Sequence, residues 1–183
     1  MSTTTDTIHG RATAQMRHAT PLGPLLLVRT RDGLAGAWFE SQKHHPAPID
    51  APLRDDDPLL RHAAAQLAAY FDGRSTTFDV PLDLVGTPFQ VGVWRALLAI
   101  EPGRTCSYGD IARRVGRPTA GRAVGAAVGR NPISVIVPCH RVVGSDGALT
   151  GYAGGLERKT ALLRLEAVAS PARRRTPDPV EIH

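Results

Sequence analysis

The 183-residue chain is 42% hydrophobic, enough to bury one large core or two small ones. Its apolar runs fall short of the roughly 18–20 residues needed to span a bilayer, and the opening MSTTTDTIHGRATAQMRH has no apolar centre of the secretory kind, so a globular cytoplasmic protein with no membrane partner is expected. Two cysteines, Cys106 and Cys139, are too few for a disulfide framework, and the net charge of +5 is uneven: residues 1–86 carry eight Lys/Arg against ten Asp/Glu, residues 87–183 fourteen against seven.

In chain order, residues 1–15 are polar and aperiodic and are expected to be disordered. PLGPLLLVRT and GLAGAWFE then predict two strands around the turn RDG. After a Pro- and Asp-rich loop, PLLRHAAAQLAAYFDG sets Leu60, Ala64, Leu67 and Phe71 at helical spacing with Gly73 as the stop, and TTFDVPLDL predicts a further short strand. This half reads as a small sheet with a covering helix. From residue 87 the pattern turns helical. Thr87 is placed to cap a helix that has Pro88 at its first position and Phe89, Val93, Leu97 and Ile100 on one face. SYGDIARRVG and TAGRAVGAAVGRN predict two short helices with a Gly-containing joint, a helix-turn-helix pattern. GLERKTALLRLEA predicts an amphipathic closing helix, and SPARRRTPDPVEIH a solvated tail.

The basic half suits an anion such as a nucleic acid, although twenty of the twenty-two basic residues are Arg, a bias that codon usage also produces. The second of the paired helices sharpens the question. Between residues 120 and 129 it holds Ala120, Gly121, Ala123, Gly125, Ala126, Ala127 and Gly129, with Arg122 as its only long side chain. Glycine costs about 1 kcal/mol against alanine inside a helix, so three glycines need a compensating cause. Close packing on a neighbouring helix is one. Entry into a DNA groove is the other, because an ordinary helix is roughly 10–12 Å across and the minor groove only about 6 Å wide.

VPCHRVVG at 137–144 carries the chemistry. Pro138 removes a backbone donor and ends the strand-like run ISVIV, imposing a special geometry on the Cys139 thiol. A thiol with a pKa near 8.5 is only slightly ionised at neutral pH unless a base takes its proton, and His140 is adjacent. Neighbours on an extended strand point to opposite sides, so a turn or a bridging water has to connect the two. Such an imidazole needs a carboxylate to fix its tautomer; Glu157 and Glu166 are the nearest candidates, Asp146 and Asp110 the alternatives. Cys106 reads as a small buried hydrophobe.

NPISVIVPCHRVVG, SYGDIA, GRAVGAAVGRNP and GYAGGLERKTALLRLE together resemble the O(6)-alkylguanine-DNA alkyltransferases, continuously over about residues 86–167, whereas the N-terminal half matches only in layout, through TPLGPLLL and LAAYFDG. The resemblance implies an α+β protein: a disordered N-terminus (1–15), a ribonuclease-H-like domain (16–84), a winged-helix-like domain with a helix-turn-helix (85–168) and a disordered tail (169–183). It implies that Cys139 takes the alkyl group from guanine O-6, and by extension thymine O-4, that His140 accepts the thiol proton through a water, and that Glu166 orients His140. Arg122 would fill the gap left by the rotated nucleotide, and Tyr108 would assist flipping and protonate the leaving guanine. Asn131 would brace the recognition helix, whose DNA-facing positions would be Ala123, Gly125, Ala126 and Gly129. Val142, Tyr152, Ala153 and Gly154 would line the base pocket. The partner implied is duplex DNA bearing O-alkylated guanine, bound by a monomer without a cofactor. Some family members hold zinc with N-terminal cysteines and histidines; no Cys precedes Cys106 here, so His44 and His45 read as loop residues and no metal is expected. A DNA-binding regulator would leave PCHR without a purpose, and a thiol hydrolase would turn over and need no DNA.

Overall fold

A computed structural model of the protein describes residues 8–169. Strands β1 (Ala14–His18), β2 (Leu25–Arg29) and β3 (Leu34–Phe39) form an antiparallel sheet in that order. The expected hairpin is closed by Thr30 N–H donating to Gly33 O at 2.9 Å. Residues 8–15, expected to be disordered, are held against the sheet: Ala14 and Gln15 belong to β1, and Thr13 N–H donates to Arg29 O at 2.9 Å. Ile8 is fully buried against the sheet, and the polar-looking AQMRH pairs with β2 because Ala14 and Met16 alone supply the inward face. Residues 1–7 and 170–183, which include most of the predicted tail, lie outside the described residues.

Helix α1 (Pro58–Phe71) starts at Asp57, whose carboxylate accepts from Leu60 N–H at 3.0 Å, and stops before Gly73, which takes the left-handed conformation at φ 71°. Its buried face is Leu60, Ala63, Leu67 and Tyr70, one residue round from the predicted one; Ala64 and Phe71 pack at the margin. Ring contacts to Phe71 and Phe78 and a buried partner for the Tyr70 hydroxyl select this rotation. The strand predicted within 76–84 reduces to a single bridge between Leu34 and Leu82. Pro81 has no N–H to give and contributes only its carbonyl, to Leu34 N–H at 2.8 Å.

Helix α2 (Pro88–Leu98) begins with a reciprocal capping box, Thr87 with Gln90, worth about 1 kcal/mol, and buries Val93, Trp94 and Leu97. A two-residue parallel pair, β4 (Cys106–Ser107) with β5 (Val142–Val143), brackets α3 (Tyr108–Arg114) and α4 (Gly121–Gly129), the two expected short helices. The Trp94 indole N–H donates to Ala127 O at 2.8 Å, which fixes α4 against α2. The closing helix α5 (Leu156–Ala169) is not amphipathic in the predicted sense: its buried side chains are Lys159, Leu162 and Glu166, two of them charged. Among the described residues no helix is long and apolar enough to cross a membrane.

One cluster of buried apolar side chains runs from the sheet and α1 through α2, α3 and α4 to Val137 and Leu162, so both halves share a core. The outer edge of β3 is covered twice, by residues 81–83 and by the segment before the PCH turn, where Ala37 N–H donates to Pro132 O and Ser134 N–H to Ala37 O. The run ISVIV is therefore not a strand. Past Ile133 it turns, with Val135 in the left-handed region at φ 71°, a position that costs a β-branched residue about 1–3 kcal/mol and that its complete burial maintains.

Candidate active site

The PCH segment is two tight turns in succession. Pro138, at φ −83° and ψ 61°, is the centre of an inverse γ-turn closed by Cys139 N–H to Val137 O at 2.8 Å, and Cys139–Arg141 continue as one turn of 3-10 helix. The fixed φ of proline thus places the cysteine where the chain changes direction. Cys139 is 5% exposed, and its Sγ accepts from Asn131 Nδ2 at 3.1 Å. The same amide donates to Val137 O at 2.8 Å and accepts from Ile133 N–H, which links the end of α4 to the turn bearing the thiol. Burial pushes the thiol pKa up to about 11; the Asn131 hydrogen bond, the Lys159 charge and the backbone N–H groups of Cys139 and His140 act in the opposite direction. The thiol is therefore protonated at rest and needs a base.

The candidate base is the next residue. His140 is fully buried and its Nε2 lies 2.7 Å from Glu166 Oε1. Of the four carboxylates open on sequence grounds, Glu157 is exposed, Asp110 caps α3 and Asp146 accepts from Ala148 N–H. Burial opposes the Glu166 charge, but hydrogen bonds from His140 and Arg141 outweigh it and hold the carboxyl at about 2. Burial lowers the His140 pKa, against the pull of Glu166, so the resting imidazole is neutral. An ionised carboxylate only accepts, which puts the imidazole proton on Nε2 and leaves Nδ1 as a lone-pair acceptor; Nδ1 is buried and has no protein partner.

Three residues not singled out for roles complete the site. Arg141 donates from Nε to Glu166 Oε2 at 2.9 Å, from Nη2 to Oε1 at 2.7 Å and from Nη1 to Ile100 O at 2.5 Å. Tyr70 donates its hydroxyl to Glu166 Oε1 at 2.8 Å. Lys159, fully buried, donates to Val142 O, Thr150 O and Gly151 O at 2.6, 2.8 and 3.3 Å, and burial lowers its pKa against the raising influence of Cys139. A charged residue predicted on a closing helix was the available signal for Lys159; its burial was not readable.

These groups make the fold acid-sensitive. Glu166, depressed in the fold, contributes stability above the ordinary carboxylate range that is lost as the pH falls towards about 2. His140, held neutral, contributes stability above its ordinary value of 6.5 that is lost below it. Both act in the same direction. The thermal midpoint should fall steadily as pH drops from about 6.5 to 3, and Glu166→Gln should flatten the lower part of that decline.

Above the thiol lies a cavity of about 180 Å³ lined by Lys43, His44, Tyr108, Gly125, Val128, Gly129, Cys139, Gly151, Tyr152 and Ala153. Of the predicted pocket residues, Tyr152 and Ala153 line it. Val142 and Gly154 do not line it: the Val142 carbonyl is held by Lys159, and Gly154 packs under the Tyr152 ring, where a Cβ would stand 2.7 Å away. Lys43 and His44 reach it from the sheet half, His44 at φ 58° and Lys43 through its N–H to Ala153 O at 2.9 Å. Tyr108 donates to Thr150 O at 3.4 Å across the rim. Among the described residues no group of His, Cys, Asp and Glu could hold a metal.

Helix α4 forms the neighbouring wall. Val124, Ala127 and Val128 are buried, while Arg122, Ala123 and Ala126 are exposed. A Cβ on Gly121 or Gly129 would meet nothing within 4 Å, and on Gly125 only Tyr108 at ordinary contact distance. Packing within the protein therefore does not require these glycines. Their effect is a low surface around Arg122.

Residues 17–84 match the family model described as the ribonuclease-like domain of 6-O-methylguanine DNA methyltransferase, and residues 88–168 its DNA-binding domain. A methylated-DNA–protein-cysteine methyltransferase of Mycobacterium tuberculosis is 50% identical over 83% of this chain and 91% of its own, and one of Mycolicibacterium paratuberculosis is 59% identical over the same shares. The crystal structure of Mycobacterium tuberculosis OGT in complex with DNA superimposes with a TM-score of 0.79 at 47% identity, covering 87% of this chain and 96% of that one.

Proposed function

This chain belongs to the 6-O-methylguanine DNA methyltransferase family, and on that premise we propose that it repairs DNA by moving an alkyl group from guanine O-6, or thymine O-4, to Cys139. The observation that carries the reading is a thiol, protonated at rest, beside an imidazole whose tautomer leaves Nδ1 ready to accept a proton. The Cys139 proton passes through a water to His140 Nδ1, and Glu166 stabilises the imidazolium formed. The thiolate, held by Asn131 and facing the charge of Lys159, attacks the alkyl carbon in line. A carbon–sulfur bond forms, the carbon–oxygen bond breaks, and its electron pair stays on the guanine, which takes a proton from Tyr108. The product is a thioether that water does not cleave, so each molecule acts once. The reaction takes place in the cytoplasm on duplex DNA, with a monomeric protein and no cofactor.

The base must leave the helix to reach the cavity, and α4 is the element suited to that step. Its low face lets the backbone approach the minor groove, and Arg122 takes the space of the rotated nucleotide. Flipping costs a few kcal/mol only for a base that starts in a stack. Arg122→Ala should therefore slow reaction with an alkylguanine in duplex DNA by about tenfold to a hundredfold, yet leave reaction with a free O(6)-benzylguanine base near the wild-type rate. Binding to undamaged duplex should also lose about one unit of salt dependence. Equal losses on both substrates would assign Arg122 to the fold or the pocket and remove the flipping role.

A further inference from the structure

We infer that Tyr70, on α1 of the ribonuclease-like half, is a positioning residue for the transfer reaction, acting through Glu166 on His140. The inference rests on the relay proposed above and extends it across the two halves of the chain. Glu166 receives four hydrogen bonds on two oxygens. Oε2 takes one, from Arg141 Nε, whereas Oε1 takes three, from Tyr70 at 2.8 Å, His140 at 2.7 Å and Arg141 Nη2 at 2.7 Å. The Arg141 fork holds the carboxylate plane and uses one lone pair on each oxygen. The Tyr70 hydroxyl and the His140 ring then share the remaining side of Oε1, and the tyrosine sets where on that oxygen the His140 hydrogen bond falls.

The tyrosine is built for this task. It is 1% exposed, its ring is gripped by Phe71 edge-on at 5.3 Å and by Phe78 at 5.5 Å, and Glu166 is the partner of its hydroxyl, 96 residues away in sequence. Burial and the adjacent Glu166 charge raise its pKa, so it remains a donor at every working pH. The one-residue rotation of α1 relative to the sequence pattern is what directs Tyr70, rather than Phe71, at the relay. The ribonuclease-like half thus contributes a polar group to the chemistry as well as a scaffold.

The test is a cycle of single-turnover rates on methylated duplex DNA, with wild type run alongside. Tyr70→Phe keeps the ring and deletes the hydroxyl; the rate at saturating DNA should fall about fivefold to tenfold, with the half-saturating DNA concentration unchanged within about twofold. In a Glu166→Gln background the same change should alter the rate by less than about twofold, because the carboxylate it orients is gone. Leu27→Ala, in the sheet core, opens a cavity away from Tyr70 and the relay; it should lower the melting temperature and leave the rate intact. A wild-type rate for Tyr70→Phe, an undiminished loss on top of Glu166→Gln, or an equal slowing by Leu27→Ala would each overturn the inference. Absence of transfer by the wild type would instead overturn the reading beneath it.

Discussion

Cys139→Ser should transfer no alkyl group while binding duplex DNA as tightly as wild type. A serine hydroxyl in the same pocket stays protonated, and His140 cannot make it a nucleophile comparable to thiolate, so the loss should be at least about a thousandfold. The substitution is small, and the Asn131 amide that donates to Sγ at 3.1 Å can donate to an oxygen instead, so the turn that joins the active site to α4 should persist. Retained binding by gel shift with absent transfer is the expected pair of results. Cys106→Ser, half-buried on β4 and outside the cavity lining, should transfer normally. Loss of both binding and transfer in Cys139→Ser would point to a structural role for the thiol.

Glu166→Gln should have the second largest effect, and it should show in two quantities. The carboxylate is 0% exposed and answers Tyr70, His140 and Arg141 together. An amide has one acceptor oxygen, so its NH2 group must confront one of these donors and the buried Arg141 charge loses its counter-ion. Breaking a buried pair on one side costs about 3–5 kcal/mol, so the melting temperature should drop markedly. The rate should fall roughly a hundredfold at temperatures where the variant is folded, because the imidazolium formed during transfer is no longer stabilised. DNA affinity should change little, because Glu166 is fully buried. A folded variant with an unchanged rate would remove Glu166 from the relay.

The parts of this arrangement that follow local rules were legible in the sequence. Thr87 and Pro88 start α2, the RDG turn closes β2 on β3, and the glycines and alanines of α4 mark a surface without bulk. What escaped was set by tertiary contacts. AQMRH becomes a strand because β2 offers it an edge, and TTFDVPLDL fails to become one because Pro81 cannot pair twice. The charged side chains of α5 are buried because Val142 O, Thr150 O, His140 and Arg141 wait for them, and no helical periodicity announces that. Tyr70 lay beside the predicted apolar face rather than on it, and its hydrogen bond to Glu166 appears only once α1 and α5 are brought together.

A single, irreversible transfer to Cys139 can be read out by intact-mass analysis. The protein is incubated with an excess of duplex DNA containing O(6)-methylguanine, weighed, and digested to locate the added group. One methyl group per chain is expected, on the peptide that contains Cys139, with repaired guanine produced in equal amount and no further product however long the incubation. Methylation of Cys106, or repaired guanine accumulating beyond one per chain, would contradict it.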